Sequence, residues 1–199
     1  MKPTTNFSRI AVIGYSLYFL IETVIYPLIT KVPPLLSTIL NAIYIASFIG
    51  VAAWIISHDS TLKKPATFII IATLFGLVNR ILTFYMYRHP EMDAVKFSLI
   101  IGAFYFSHLI FSCMGFFKLA KGLPKGLARY MAQLVPWTAL ASLIISNVFT
   151  ILMTFMTIPH AVLRSPNIIT FLAEILAMML LCYSLPKAIE IKRTINTEH

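Results

Sequence analysis

Residues 66–87 read ATFIIIATLFGLVNRILTFYMY, an apolar run of 22 residues that carries an adjacent asparagine and arginine, Asn79 and Arg80. At ~1.5 Å of rise per residue the run makes a helix of roughly 33 Å, enough to cross the ~30 Å hydrocarbon layer of a bilayer. Arg80 then lies about 5 Å from the midplane. Insertion scales put a central arginine at a cost of about 3 kcal/mol, so other helices are expected to supply partners for Arg80 and Asn79. The stretch therefore implies a membrane helix with a polar face turned toward a bundle interior.

The rest of the chain has the same character. It is 59% hydrophobic and only 12% charged, and its mean hydropathy is +0.85. A soluble domain has about twice that share of charge. Apolar runs recur from end to end of the 199 residues, which leaves no stretch for a separate soluble domain or a long linker. They predict an all-α, polytopic fold in one bundle, with six transmembrane helices at about 10–30, 34–57, 66–87, 94–119, 134–158 and 167–191. The amino-terminal run resembles a signal peptide in its two leading positive charges, but it is longer than a typical apolar core and is followed by Tyr26-Pro27 in place of small residues. It is expected to be a retained first span. Pro33-Pro34 and Pro65 suit the first turns of the second and third spans, and Asp93 suits an N-cap for the fourth. Pro136 is expected to tip an interfacial segment, Tyr130–Val135, into the fifth span. Ser165-Pro166 is expected to cap and open the sixth, and Pro186 to bend its last turns. Cys113 and Cys182 fall inside apolar runs at no metal or disulfide spacing and read as buried, reduced thiols.

Orientation follows from where Lys and Arg fall. Eleven lie at the amino terminus, in the second and fourth loops and in the carboxyl tail, and four lie in the remaining loops; Arg80 completes the sixteen. The positive-inside rule then puts both termini in the cytoplasm of a multi-pass cell (inner or plasma) membrane protein. The net charge of +9 is spread over loops that flank apolar runs, which fits anionic lipid headgroups at Lys118, Lys121, Lys125 and Arg129 and no nucleic acid.

With that orientation, every span places a strongly polar side chain in one slab at or just outward of the midplane: Glu22, Asn41, Asn79 with Arg80, His108, Asn147 and Glu174. Helical spacing supports convergence. Tyr15, Tyr18, Glu22 and Tyr26 share a face of the first span, as do Ser37, Asn41 and Tyr44 on the second and Thr73, Gly76, Arg80, Thr83 and Tyr87 on the third. Ser98, Gly102, Tyr105, His108, Ser112 and Gly115 do so on the fourth; Thr138, Ser142, Ser146, Thr150 and Thr154 step by four on the fifth. Lipid cannot satisfy such stripes, which places them inside the bundle.

The expected ligand-binding set is therefore Glu22, Asn41, Asn79, Arg80, His108, Asn147 and Glu174, with Tyr18, Tyr26 and Tyr105 walling a cavity open to the extracytoplasmic side. Two carboxylates against one guanidinium leave a negative charge over, so one glutamate holds a proton or pairs with protonated His108. Such a site suits small-ligand or ion transport or sensing, with proton coupling. The bland alternative is structural glue: an arginine paired with acids, hydroxyl stripes bonding between helices and a core histidine, in a non-catalytic subunit or scaffold that docks a partner membrane subunit. A third reading is a lipid-modifying enzyme using His108 with Glu174 or Glu22. No nucleophile elbow, zinc-protease motif or phosphate-binding glycine loop is present, and His108 is the sole histidine in the apolar runs, which speaks against catalysis, haem ligation and any bound cofactor or metal.

Overall fold

A computed structural model of the chain describes residues 34–89, 93–155 and 160–197, with some side chains inside the helices, Asn41, Tyr44 and Ser146 among them, left out. The expected first span, with Tyr18, Glu22 and Tyr26, lies outside the described residues. What is described is helical, with no strand: α1 (Pro34–His58), a short 3-10 turn (Ser60–Leu62), α2 (Lys63–Arg88), α3 (Ala94–Gly122), α4 (Leu127–Phe155) and α5 (His160–Thr197). Among these residues three stretches are long and apolar enough to cross a membrane, Ser60–Thr83, Val95–Gly122 and Leu172–Ile195.

The corners are built by local chemistry. Asp59 ends α1 and nucleates the 3-10 turn, its Oδ1 accepting from Thr61 N at 2.9 Å and from Thr61 Oγ1 at 2.6 Å. Asp93 caps α3, accepting from the backbone N–H groups of Val95 and Lys96 at 3.1 and 3.2 Å and pairing with the Lys96 ammonium at 3.3 Å. Between α3 and α4 the chain reverses in four residues. Gly126 there has φ 151°, a conformation side-chain-bearing residues rarely take.

Two helices start earlier than proline placement alone implies. α4 begins at Leu127 and runs through Pro136, and α5 begins at His160 and runs through Pro166 and Pro186, so neither Pro136 nor Ser165-Pro166 opens a helix. The physical reason is length. Each proline removes one i→i−4 hydrogen bond from a helix of 29 or 38 residues, and the bonds on either side of it carry the helix through.

α2 lies most extensively against α3, and α4 against α5; α3 joins the two pairs and α1 lies along α2. The fully buried residues gather toward one end: Val51, Ala52 and Ile55 of α1, Ala66 and Ile69 of α2, Phe116 and Leu119 of α3, Val135 of α4, Leu181 and Leu185 of α5. Cys182 belongs to this core; Cys113 is half-buried, where the sequence suggested a fully buried thiol, and both are free. The same end collects basic side chains from several elements. Leu62 lies directly under Gly122, and the carboxyl end of α5 reaches the α1–α2 corner, so Lys63, Lys64, Lys118, Lys121 and Lys192 all belong to one end of the bundle.

The α2–α3 pair sets the register that positions the polar residues. It is antiparallel and repeats in steps of seven along each helix. Phe68 and Phe75 of α2 meet Phe111 and Phe104 of α3, with ring centroids 6.0 Å (Phe68–Phe111), 5.5 Å (Phe75–Phe111) and 5.9 Å (Phe75–Phe104) apart. Small residues let the backbones close. A Cβ at Gly115 would fall 2.8 Å from Ile69 Cγ1 and 3.1 Å from Ile69 N.

Candidate functional site

Arg80 and Asn79 sit four and three residues past Gly76 on α2, and opposite them α3 presents His108 and, one turn earlier, Tyr105. Glu174 comes from α5, half-buried. The register of the α2–α3 pair explains how His108 enters. Gly76 leaves a notch that the imidazole fills: a Cβ there would stand 3.0 Å from His108 Nδ1 and 3.3 Å from Cε1. The ring is held by the Ala72 carbonyl, 2.7 Å from Nδ1. A carbonyl oxygen only accepts, so Nδ1 carries a proton, which leaves Nε2 as the nitrogen that gains or loses one. Seven residues along α2, Asn79 Nδ2 donates to the Ile101 carbonyl at 2.8 Å, and Ile101 is seven residues before His108. The two polar staples are thus one heptad apart on both helices.

Electrostatics ties three elements together. The Arg80 guanidinium acts on both the Glu174 carboxyl and the His108 imidazole, and the Glu174 carboxylate acts on the Tyr105 phenol. One fixed positive charge, one carboxyl and one imidazole therefore share a region fed by α2, α3 and α5. Such a group can hold an anion against the guanidinium or balance that charge with the carboxyl.

Other residues in the expected set are placed differently. Asn147 is exposed, and its Nδ2 donates to Leu143 O on its own helix at 2.8 Å. Tyr105 is 38% exposed and stands edge-on to Phe106. Glu22, Tyr18 and Tyr26 lie outside the described residues, as does the side chain of Asn41. The hydroxyl stripes behave more locally than the interior reading implies. Thr73 and Thr138 are buried, and with Thr83 and Ser184 they donate to carbonyls three or four residues back on their own helices, at 2.6–2.9 Å. His108 and Asn79, by contrast, each bond from one helix to a carbonyl of the other.

Compared with known protein families, with characterised proteins and with solved structures, the chain matches none. Function is therefore argued from the site alone.

A second polar cluster, absent from the sequence reading, closes the basic end. Lys192 of α5 pairs with Asp59 Oδ2 at 2.9 Å and donates to Thr61 Oγ1 at 2.6 Å, while Arg193 Nη2 donates to the His58 carbonyl. His58 stacks on Trp54, ring centroids 4.4 Å apart. Burial alone would push the Asp59 carboxyl up, but hydrogen bonds from Thr61 and Lys192 outweigh it and hold the group below its usual value. The available signal was compositional. Asp59 is one of only seven acids in the chain and stands in a lysine-rich corner.

Proposed function

We propose that the chain is a six-span membrane protein with both termini cytoplasmic, and that Arg80, Glu174 and His108 form the ionisable heart of a small-ligand or ion site serving transport or sensing. The observation that carries the reading is the convergence of one acid from α5 and one imidazole from α3 on one cation, Arg80 of α2, each within its electrostatic range. The gathering of basic side chains at the opposite end of α2 supports the orientation, which turns the site toward the extracytoplasmic side. Arg80 holds an anionic group of the ligand, Glu174 exchanges a proton, and His108, fixed on the Ala72 carbonyl, relays it. Glu22 and Asn41 complete the site from the first two spans.

The test is thermal unfolding of the purified protein against a panel of small carboxylates, inorganic phosphate and sulfate, together with proton flux into proteoliposomes. Arg80→Ala is expected to abolish any ligand-induced rise in Tm and the flux while leaving a folded, inserted protein. If Arg80→Ala instead fails to accumulate and Glu174→Gln restores it, the pair is structural glue and the site reading falls.

A further inference from the structure

Outside the interior group, one surface feature combines shape, charge and depth. At the α1–α2 corner Ser60, Thr61, Lys63, Lys64, Thr67 and Phe68 line an open cleft of about 400 Å³. Beside it stands Lys118 of α3, its ammonium 4.5 Å from the centre of the Phe68 ring. We propose that this cleft binds the phosphate headgroup of an anionic glycerophospholipid, with Lys63, Lys64 and Lys118 around the phosphate and Phe68 beneath the glycerol.

Three features of the cleft point to a lipid. First, its charge is uncompensated. The nearby carboxylate, Asp59, is taken by Lys192 at 2.9 Å, and among the described residues neither Lys63 nor Lys64 meets an acid. Second, the cleft is layered like the interface it faces. Lys63 and Phe68 are five residues apart on α2, about 7.5 Å along the axis. The headgroup layer on each side of a bilayer is about 5–8 Å deep. Lys63 therefore stands at phosphate level when the Phe68 ring stands at the edge of the hydrocarbon, with the Lys118 ammonium close over the ring.

Third, the donors suit a phosphate tethered to an apolar body better than a free ion. Thr61 Oγ1 already donates to Asp59 and Thr67 Oγ1 to the Lys63 carbonyl, at 2.6 and 2.9 Å. That leaves the exposed Ser60 hydroxyl and the three lysines, which attract as point charges and fix no geometry. A free phosphate, which needs directed donors to replace its water, gains little here; a lipid adds contact with Phe68 and the lysine stems. The proposal gives one seat to a lipid, whereas Lys121, Lys125 and Arg129 meet the headgroup layer diffusely.

The experiment is native mass spectrometry of the detergent-solubilised full chain titrated with phosphatidylglycerol or phosphatidylcholine. Wild type is expected to retain one phosphatidylglycerol in preference to phosphatidylcholine. Lys63→Gln and Lys64→Gln are each expected to weaken that retention about fivefold, the worth of one lysine at an anionic surface. Phe68→Leu, which keeps apolar bulk against Phe111, weakens it without changing charge and is expected to keep the wild-type Tm. Lys187→Gln, which removes an equal charge from an exposed site at the same end, leaves it within about twofold. Equal losses in Lys64→Gln and Lys187→Gln would reduce the seat to a diffuse field, equal retention of the two lipids would remove the headgroup preference, and displacement by inorganic phosphate would make it an ion site. Each of these overturns the proposal. Because Lys63 and Lys64 are exposed and make no side-chain contacts in the core, the variants are expected to unfold at the wild-type Tm, so a loss of lipid is not a loss of fold.

Discussion

Replacing Asp59 with alanine removes three interactions at once, and their sizes can be worked from the geometry. The carboxylate accepts from Thr61 N and Thr61 Oγ1 and pairs with Lys192 at 2.9 Å, and the side chains of Asp59 and Lys192 are only 9% and 18% exposed. Loss of a capping carboxylate costs about 1 kcal/mol. Exposed ion pairs contribute up to about 1 kcal/mol, and breaking a fully buried one costs about 3–5 kcal/mol. At this intermediate depth we assign about 2 kcal/mol, which brings Asp59→Ala to a loss of about 3 kcal/mol. The charge pair is isolated by a double-mutant cycle of Asp59→Asn with Lys192→Met, which keeps an oxygen for Thr61 and the apolar stem of residue 192. A coupling of about 1.5 kcal/mol is expected. The assay is unfolding in mixed micelles, followed by the fluorescence of Trp54, which stacks on His58 beside the clasp. A coupling below about 0.5 kcal/mol would refute the reasoning, because it would mean that the end of α5 is not held against the α1–α2 corner.

Three further outcomes follow from the surroundings of single residues. The folded-state pKa of Asp59 is depressed, so its contribution is complete above the unfolded value of about 3.9 and is lost as pH falls through the lower folded value. An acid titration of stability should therefore fall less steeply below about pH 4 in Asp59→Asn than in wild type. On α3, Gly115→Ala should destabilise by about 1–3 kcal/mol, because its Cβ meets Ile69 N and the Pro65 carbonyl at 3.1 and 3.2 Å, backbone atoms that cannot retreat. Gly102→Ala, with nothing within 4 Å of its Cβ, should stay within about 0.5 kcal/mol of wild type in the same unfolding assay.

Much of the architecture was legible along the chain because it follows from local rules. The apolar run at 66–87 needs only its length to imply a crossing helix, and α2 indeed spans Lys63–Arg88. Asp93 needs only its neighbours' free N–H groups to cap α3. The proline rule, by contrast, fails at Pro136 and Pro166. A proline fits the first turn of a helix but does not oblige one to begin there, and the long helices α4 and α5 carry theirs inside.

Residue type and helical spacing by themselves determined that Arg80, His108 and Glu174 stand on polar faces of apolar helices. Which of those faces meet was decided only in three dimensions. Seven-residue aromatic steps and the Gly76 notch fix the rotation and height of α2 against α3, and so aim His108 at Ala72 and Asn79 at Ile101. Asn147, of the same residue type and depth, turns back to Leu143 instead. Lys192 finds Asp59 across more than half the chain, a pairing that no local pattern encodes. Spacing within one helix fixes a direction around its own axis; contact also requires the rotation and height of a second helix, which depend on how all the surfaces fit.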